Sequence, residues 1–206
     1  MFRLITTKGC GSAIVEAELT LAGLPYEIEE IDYTQPGPGL DRLKALNPLG
    51  QVPTLILPDG AVMTESAAMT LHIADLAPQA GLVPPVGHPA RPAFLRWLLF
   101  LVAAIYPTFT YGDEPANWVP ADAADALRAS TDRHREKLLE YLEGEVAPAP
   151  WLLGATFSAL DLYVAVMTKW RPREAWFVGH APKLLGVRQR ALKIPELAAV
   201  WARNFD

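Results

Sequence analysis

Only one cysteine, Cys10, occurs in 206 residues. A lone thiol excludes an internal disulfide, a cysteine-rich zinc site and a Cys-x-x-Cys dithiol mechanism. His72, His88, His134 and His180 have no metal-ligand spacing, so no metal is expected. A Gly-x-Ser-x-Gly elbow and a phosphate loop are both lacking, which leaves hydrolase and nucleotide chemistry without support. Basic residues are not in excess. The net charge is −5, which argues against binding nucleic acid through its phosphates. The start of the chain reads as a strand and not as a signal peptide. The longest apolar run, around Trp97 to Tyr106, is shorter than a membrane span and stops at Pro107. A cytoplasmic protein with no membrane partner is the expectation.

Hydrophobic residues make up 51% of the chain and charged residues 20%, enough for a substantial core. Prolines, 19 in all, and glycines, 14, punctuate the pattern. Phe2 to Thr6 alternates as a strand. Ser12 reads as the N-cap of a helix that runs to about Ala22, with Val15-Glu16 at the capping-box position, and Gly23 and Pro25 stop it. Tyr26 to Ile31 alternates as a second strand, Gln35 to Gly39 is a loop, and Leu40 to Leu46 a short helix. Thr54–Leu57 and Ala61–Thr64 flank Asp59-Gly60, a pair suited to a type I′ hairpin turn. Val52-Pro53 precedes the first of these strands, where a cis bond is expected. A helix follows over Ser66 to Leu76. The first two strands predict a parallel βαβ unit and the last two an antiparallel hairpin.

Pro78 to Pro92 reads as a linker, and the character then changes. Ala93 to Tyr111 is an apolar helical region with a kink at Pro107, and Gly112 to Pro120 is a loop. Ala121–Glu143, Ser158–Trp170, Pro182–Leu192 and Pro195–Asn204 are helical. The expectation is an α+β or α/β domain over residues 1–78, a linker over 79–92 and an all-helical domain over 93–206. Ser158 and Asp161 form a capping box with a structural role. Lys169-Trp170-Arg171-Pro172-Arg173 reads as a solvated basic helix end.

Three motifs carry a resemblance. They are Asn47-Pro48-Leu49-Gly50-Gln51-Val52-Pro53-Thr54-Leu55, Glu65-Ser66 at a helix start, and Gly154-Ala155-Thr156-Phe157-Ser158-Ala159-Leu160-Asp161. Together, in this order, they resemble the glutathione S-transferase superfamily, and specifically a bacterial, cysteine- or serine-type member. The resemblance covers essentially the whole chain. It implies a thioredoxin-like βαβαββα domain, an all-helical second domain, a homodimer, and glutathione as co-substrate.

The resemblance also assigns residues. Val52 would pair its backbone with the peptide as an added strand, beside Pro53. Glu65 and Ser66 would hold the γ-glutamyl end, where a helix N-terminus favours an anion. Gln51 would reach the glycyl end. Cys10 is the first choice to stabilise the thiolate and Ser12 the second, with Thr7 a weaker candidate and Thr6, at the end of the first strand, also considered. Walls for a small electrophile are expected from Thr7, Lys8, Tyr106, Tyr111 and Trp118. The implied reaction is conjugation of glutathione to that electrophile. Reduction of disulfides or peroxides through Cys10 is an alternative, and a non-enzymatic interaction protein of the same fold is another.

Overall fold

The computed structural model describes residues 1–206. Its sheet contains β1 (Phe2–Thr6), β2 (Tyr26–Glu30), β3 (Thr54–Ile56) and β4 (Val62–Met63). The strand order is β2-β1-β3-β4, with β1 and β2 parallel and the other pairs antiparallel. Helix α1 (Ser12–Leu21) makes the crossover from β1 to β2, α2 (Pro38–Leu46) precedes β3, and α3 (Ser66–Leu76) follows the hairpin. This is the thioredoxin-like βαβαββα order. Phe2, Leu4 and Ile5 of β1 are buried, while Arg3 sits opposite Glu27 at the surface.

The hairpin turn differs from the type I′ expectation. Leu57 N–H meets Ala61 O at 2.8 Å and Gly60 N–H meets Leu57 O at 2.9 Å, so the loop is three residues long. Of Asp59 and Gly60, only Gly60 takes a positive φ, +91°. Pro58 explains the change: its fixed φ suits the second position of an ordinary turn, and a left-handed glycine then returns the chain to the sheet.

The remainder is helical: α4 (Arg91–Phe100), α5 (Tyr106–Asp113), α6 (Ala124–Glu145), α7 (Ala159–Met167), α8 (Glu174–His180), α9 (Pro182–Ala191) and α10 (Ala198–Phe205). Helix α8 has no counterpart in the sequence reading. Pro107 does not end the helix before it. Leu101–Ile105 widens into a π-helical segment joining α4 to α5. A wider turn accommodates a ring that lacks an N–H and would strike the carbonyl four residues back. The resulting run, Arg91–Asp113, has 23 residues and contains an 18-residue stretch of mean hydropathy 1.6, longer and more apolar than the sequence reading allowed. Its inner face, with Phe94, Trp97, Leu98, Leu101 and Ile105, is buried in the protein.

One hydrophobic cluster of 38 buried residues extends from Phe2 to Trp201, so the sheet half and the helical half share a core. Helix α1 lies at the join. Glu16 on α1 pairs with Arg203 and accepts from Asn204 Nδ2 at 2.9 Å, tying α1 to α10. Glu16 therefore takes no part in a capping box, and the N-cap of α1 is Gly11 and not Ser12. The Ser158–Asp161 capping box is present. Asp161 accepts from Ser158 N–H and from Leu152 N–H, each at 2.8 Å. Burial pushes the Asp161 carboxyl up to about 6, against these donors, and it is ionised at neutral pH.

Candidate functional site

The turn before β3 is built by Asn47. Its buried side-chain amide donates to Gln51 O at 3.0 Å and to Thr54 Oγ1 at 3.2 Å, and its oxygen accepts from Leu49 N–H. This clamp presents Val52 and Pro53, joined by a cis peptide bond, at the surface of a cavity. Neither the N–H nor the C=O of Val52 hydrogen-bonds within the protein. A free donor and acceptor at a sheet margin are what an extended peptide pairs with.

The loop between β1 and α1 forms the opposite lip. Gly9 has φ +73°, a conformation that favours glycine. Its carbonyl accepts from Trp170 Nε1 at 2.7 Å, so the helical half holds the loop in place. Cys10 lines the cavity and is partly exposed. Its Sγ lies 3.5 Å from the hydroxyl of Tyr33, which follows β2. Burial pushes the Cys10 thiol up, outweighing the Tyr33 hydrogen bond, and the charge of Asp113 adds to the rise. Burial, with Cys10 and Asp113 nearby, holds the Tyr33 hydroxyl far above its ordinary range. Both groups are neutral donors at physiological pH.

Ser12 lies beneath this surface and does not line the cavity. It is fully buried, with Thr6 Oγ1 donating to its Oγ at 2.6 Å. Thr7 is turned inward, donating to Ile31 O at 2.6 Å. Lys8 is exposed and outside the cavity lining. None of these three side chains faces the space where an electrophile would sit.

At the start of α3, Glu65 is the N-cap and has φ +66°, one of only two non-glycine residues with positive φ. Such strain clusters at functional sites. Ser66 is buried behind it, next to a polar network. Thr70 Oγ1 lies 2.6 Å from Glu18 Oε1, 3.0 Å from Ser66 O and 3.1 Å from the Tyr163 hydroxyl. Burial pushes the Glu18 carboxyl up to about 8. Thr70 Oγ1 donates to Glu18 Oε1, with Ser66 O as its alternative acceptor, while Glu18 Oε2 is buried without a partner. The Tyr106 hydroxyl lies near Ser66 and Glu18, yet it is buried without a hydrogen-bond partner.

The cavity, about 490 Å³, is closed on its far side by α5 and the segment after α7. Tyr106, Phe109, Thr110 and Asp113 line it, at the i, i+3, i+4, i+7 spacing of one helix face. Tyr111 points away. It packs edge-to-face on Trp118, centroids 4.7 Å apart, and both are exposed on the outer surface. Tyr111 and Trp118 are thus misplaced in the sequence reading, since five residues along a helix from Tyr106 lead to the opposite side. The basic cluster is also corrected: Trp170, Arg171 and Arg173 line the cavity and are no mere solvated helix end. Tyr33, Phe109, Asp113 and Arg128 were missed altogether. For the α5 residues the signal was the stripe through Tyr106. For Tyr33 and Arg128 no local signal existed.

A thioredoxin-like sheet that brings a proline turn and a thiol to one cavity, walled by helices, has the two-part architecture of the transferases, while Gln51, Glu65 and Ser66 lie outside the cavity lining. The sequence profile described as "Glutathione S-transferase, N-terminal domain" matches residues 13–76. The chain is 37% identical to the uncharacterized GST-like protein YncG of Escherichia coli K12, covering 99% of this chain and 98% of that one. It is 30% identical to glutathione S-transferase GST-4.5 of Xanthomonas campestris pv. campestris, covering 82% and 81%. A Sulfitobacter glutathione transferase homologue with bound glutathione superposes with TM-score 0.86, at 25% identity and coverage of 98% and 97%. The chain belongs to the glutathione S-transferase family.

Proposed function

We propose that this protein binds glutathione across the Val52 turn and the start of α3 and joins its sulfur, as the intact glutathionyl group, to a small electrophile held in the 490 Å³ cavity. The observation that carries the reading is the convergence of the unpaired Val52 backbone and the Cys10 thiol on that cavity. The cysteinyl backbone of glutathione pairs with Val52 as a short added strand. The γ-glutamyl carboxylate meets the N-terminus of α3 at Ser66, and Glu65 accepts from its ammonium group. Gln51, exposed at the turn, reaches the glycyl end.

This pose brings the sulfur to Cys10 and Tyr33. Two neutral donors stabilise the glutathione thiolate and lower its pKa without a general base. The glutathione thiol gives its proton to water, the thiolate attacks the electrophilic carbon, and a thioether forms as the leaving group departs with its electron pair, chloride in the case of 1-chloro-2,4-dinitrobenzene. Reduction through Cys10 is the second reading, favoured by the position of that thiol on the cavity wall and opposed by the upward push on its pKa. We place the protein in the cytoplasm as a homodimer. The exposed Leu76 of α3 and Leu99 of α4 lie on the helices expected to meet. Light scattering after size exclusion tests that state.

Calorimetric titration with glutathione, followed by conjugation of 1-chloro-2,4-dinitrobenzene, tests the function. Saturable binding and thioether formation support it. No saturation at millimolar glutathione refutes it. A mixed disulfide at Cys10 without thioether formation favours reduction.

A further inference from the structure

We infer that the electrophile pocket is specific for anionic aromatic substrates, whose carboxylate or similar group is held by Arg128 and Arg173. This rests on the transferase reading above and names the class of its second substrate.

The charge on the cavity wall opposes that of the whole molecule. The chain carries −5, yet three arginines and a single acid line this cavity. Asp113 already has a cationic partner, with Arg171 Nη2 2.5 Å from its Oδ1. Arg171 also faces Asp132 at 3.6 Å. Arg128 and Arg173 have no carboxylate partner. Arg128 donates only to the backbone oxygen of Asp113, at 2.8 Å, and Arg173 only to Lys169 O, at 3.3 Å. A guanidinium has five N–H donors, so most of each fork is left for a ligand. Planar forks suit a carboxylate.

The backbone supports the same assignment. Arg173 is the second non-glycine residue with positive φ, +79°. The first, Glu65, lies at the glutathione end of the proposed site. Arg173 is held in this conformation by its own N–H on Trp170 O at 2.8 Å. A strained residue that brings an unpaired cation to a cavity is better explained by recognition than by solvation.

The flat part of the substrate has its own wall. Phe109 and Trp170 pack edge-to-face, centroids 5.1 Å apart. Behind Phe109 lies the buried Arg135, its guanidinium 4.2 Å from the ring centroid. The result is an aromatic surface in the cavity that Cys10 and the two arginines also line.

Ethacrynic acid and its methyl ester provide the test, because they share one electrophile and differ in charge. The glutathione sulfur bonds to the terminal carbon of the conjugated alkene. The π electron pair moves to the carbonyl oxygen as an enolate, water supplies a proton to the α-carbon, and no group leaves. Calorimetric binding of both compounds without glutathione, at 50 and 500 mM salt, is read alongside kcat/KM. The wild-type protein is expected to prefer the acid over the ester by about tenfold, with the preference shrinking at high salt. In the Arg128→Gln/Arg173→Gln protein the acid-to-ester ratio falls to near one. Equal treatment of acid and ester by the wild type, or a preference that survives in the double variant, overturns the inference. So does a rise in glutathione KM with an unchanged acid-to-ester ratio, which assigns the arginines to the tripeptide. Preferential binding of the acid without any turnover upholds the anion site while removing the transferase reading.

Discussion

The hydroxyl of Tyr33 lies 3.5 Å from Cys10 Sγ, although 23 positions separate the two residues. Neither group is ionised in the free protein, since burial raises both. The pair is therefore a two-donor cradle for an incoming thiolate. Tyr33→Phe is expected to lower kcat/KM for conjugation by about 10- to 100-fold, the worth of one hydrogen bond to a charged group. It also raises the pKa of bound glutathione, moving the acid limb of the pH–rate profile to higher pH. Ultraviolet titration of the bound thiolate checks this. An unchanged thiolate pKa in Tyr33→Phe removes Tyr33 from the mechanism.

Cys10 itself is expected to be a poor nucleophile. Its thiol is raised from an ordinary value of 9.0, so little thiolate exists at neutral pH. Alkylation of Cys10 by iodoacetamide at pH 7.5 should be slower than that of free glutathione and should accelerate with rising pH. Rapid labelling at neutral pH, followed by mass spectrometry, would instead support the disulfide-reducing alternative.

Glu18 makes stability depend on pH in a defined direction. Its carboxyl moves from an ordinary 4.5 to about 8 in the folded protein. Between these values the folded state binds more protons than the unfolded state. Stability therefore falls as pH rises, by at most about 1.4 kcal/mol per pH unit, and levels off above pH about 8. Glu18→Gln keeps an acceptor for the Thr70 hydroxyl and cannot ionise. Urea unfolding at pH 5, 6.5 and 8 should show the variant gaining on the wild type as pH rises. Parallel curves would mean that Glu18 is ionised within the fold.

Asp161→Ala removes the acceptor for two buried backbone N–H groups, those of Ser158 and Leu152. The expected loss is about 3 kcal/mol, from the cap and the orphaned donors together. Denaturant unfolding measures it, and a loss below about 1 kcal/mol would show that water replaces the carboxylate at little cost.

Much of the fold was legible because it is written in local chemistry. Alternation marked β1 and β2, Gly23 and Pro25 stopped α1, and Ser158 with Asp161 opened α7. Each signal depends on residues within about one turn of helix or one hairpin. Even there, a neighbour changed the detail: Pro58 converted the turn at Asp59-Gly60, and Pro107 widened a helix without ending it.

The sequence by itself determined the order of strands and helices apart from α8, the proline turn at Val52-Pro53, and Glu65-Ser66 at the head of a helix. These follow from backbone preferences that the residues carry wherever the chain goes. Only the tertiary structure decided what meets in the cavity. Packing of α1 against both halves buried Ser12 and left Cys10 on the wall. It brought Tyr33 to the sulfur, turned Tyr106 inward and Tyr111 outward, and put Arg128 and Arg173 on the same cavity as Cys10. Periodicity tells which side of a helix is apolar. What that side faces depends on contacts between distant segments, and those form only when the whole core closes.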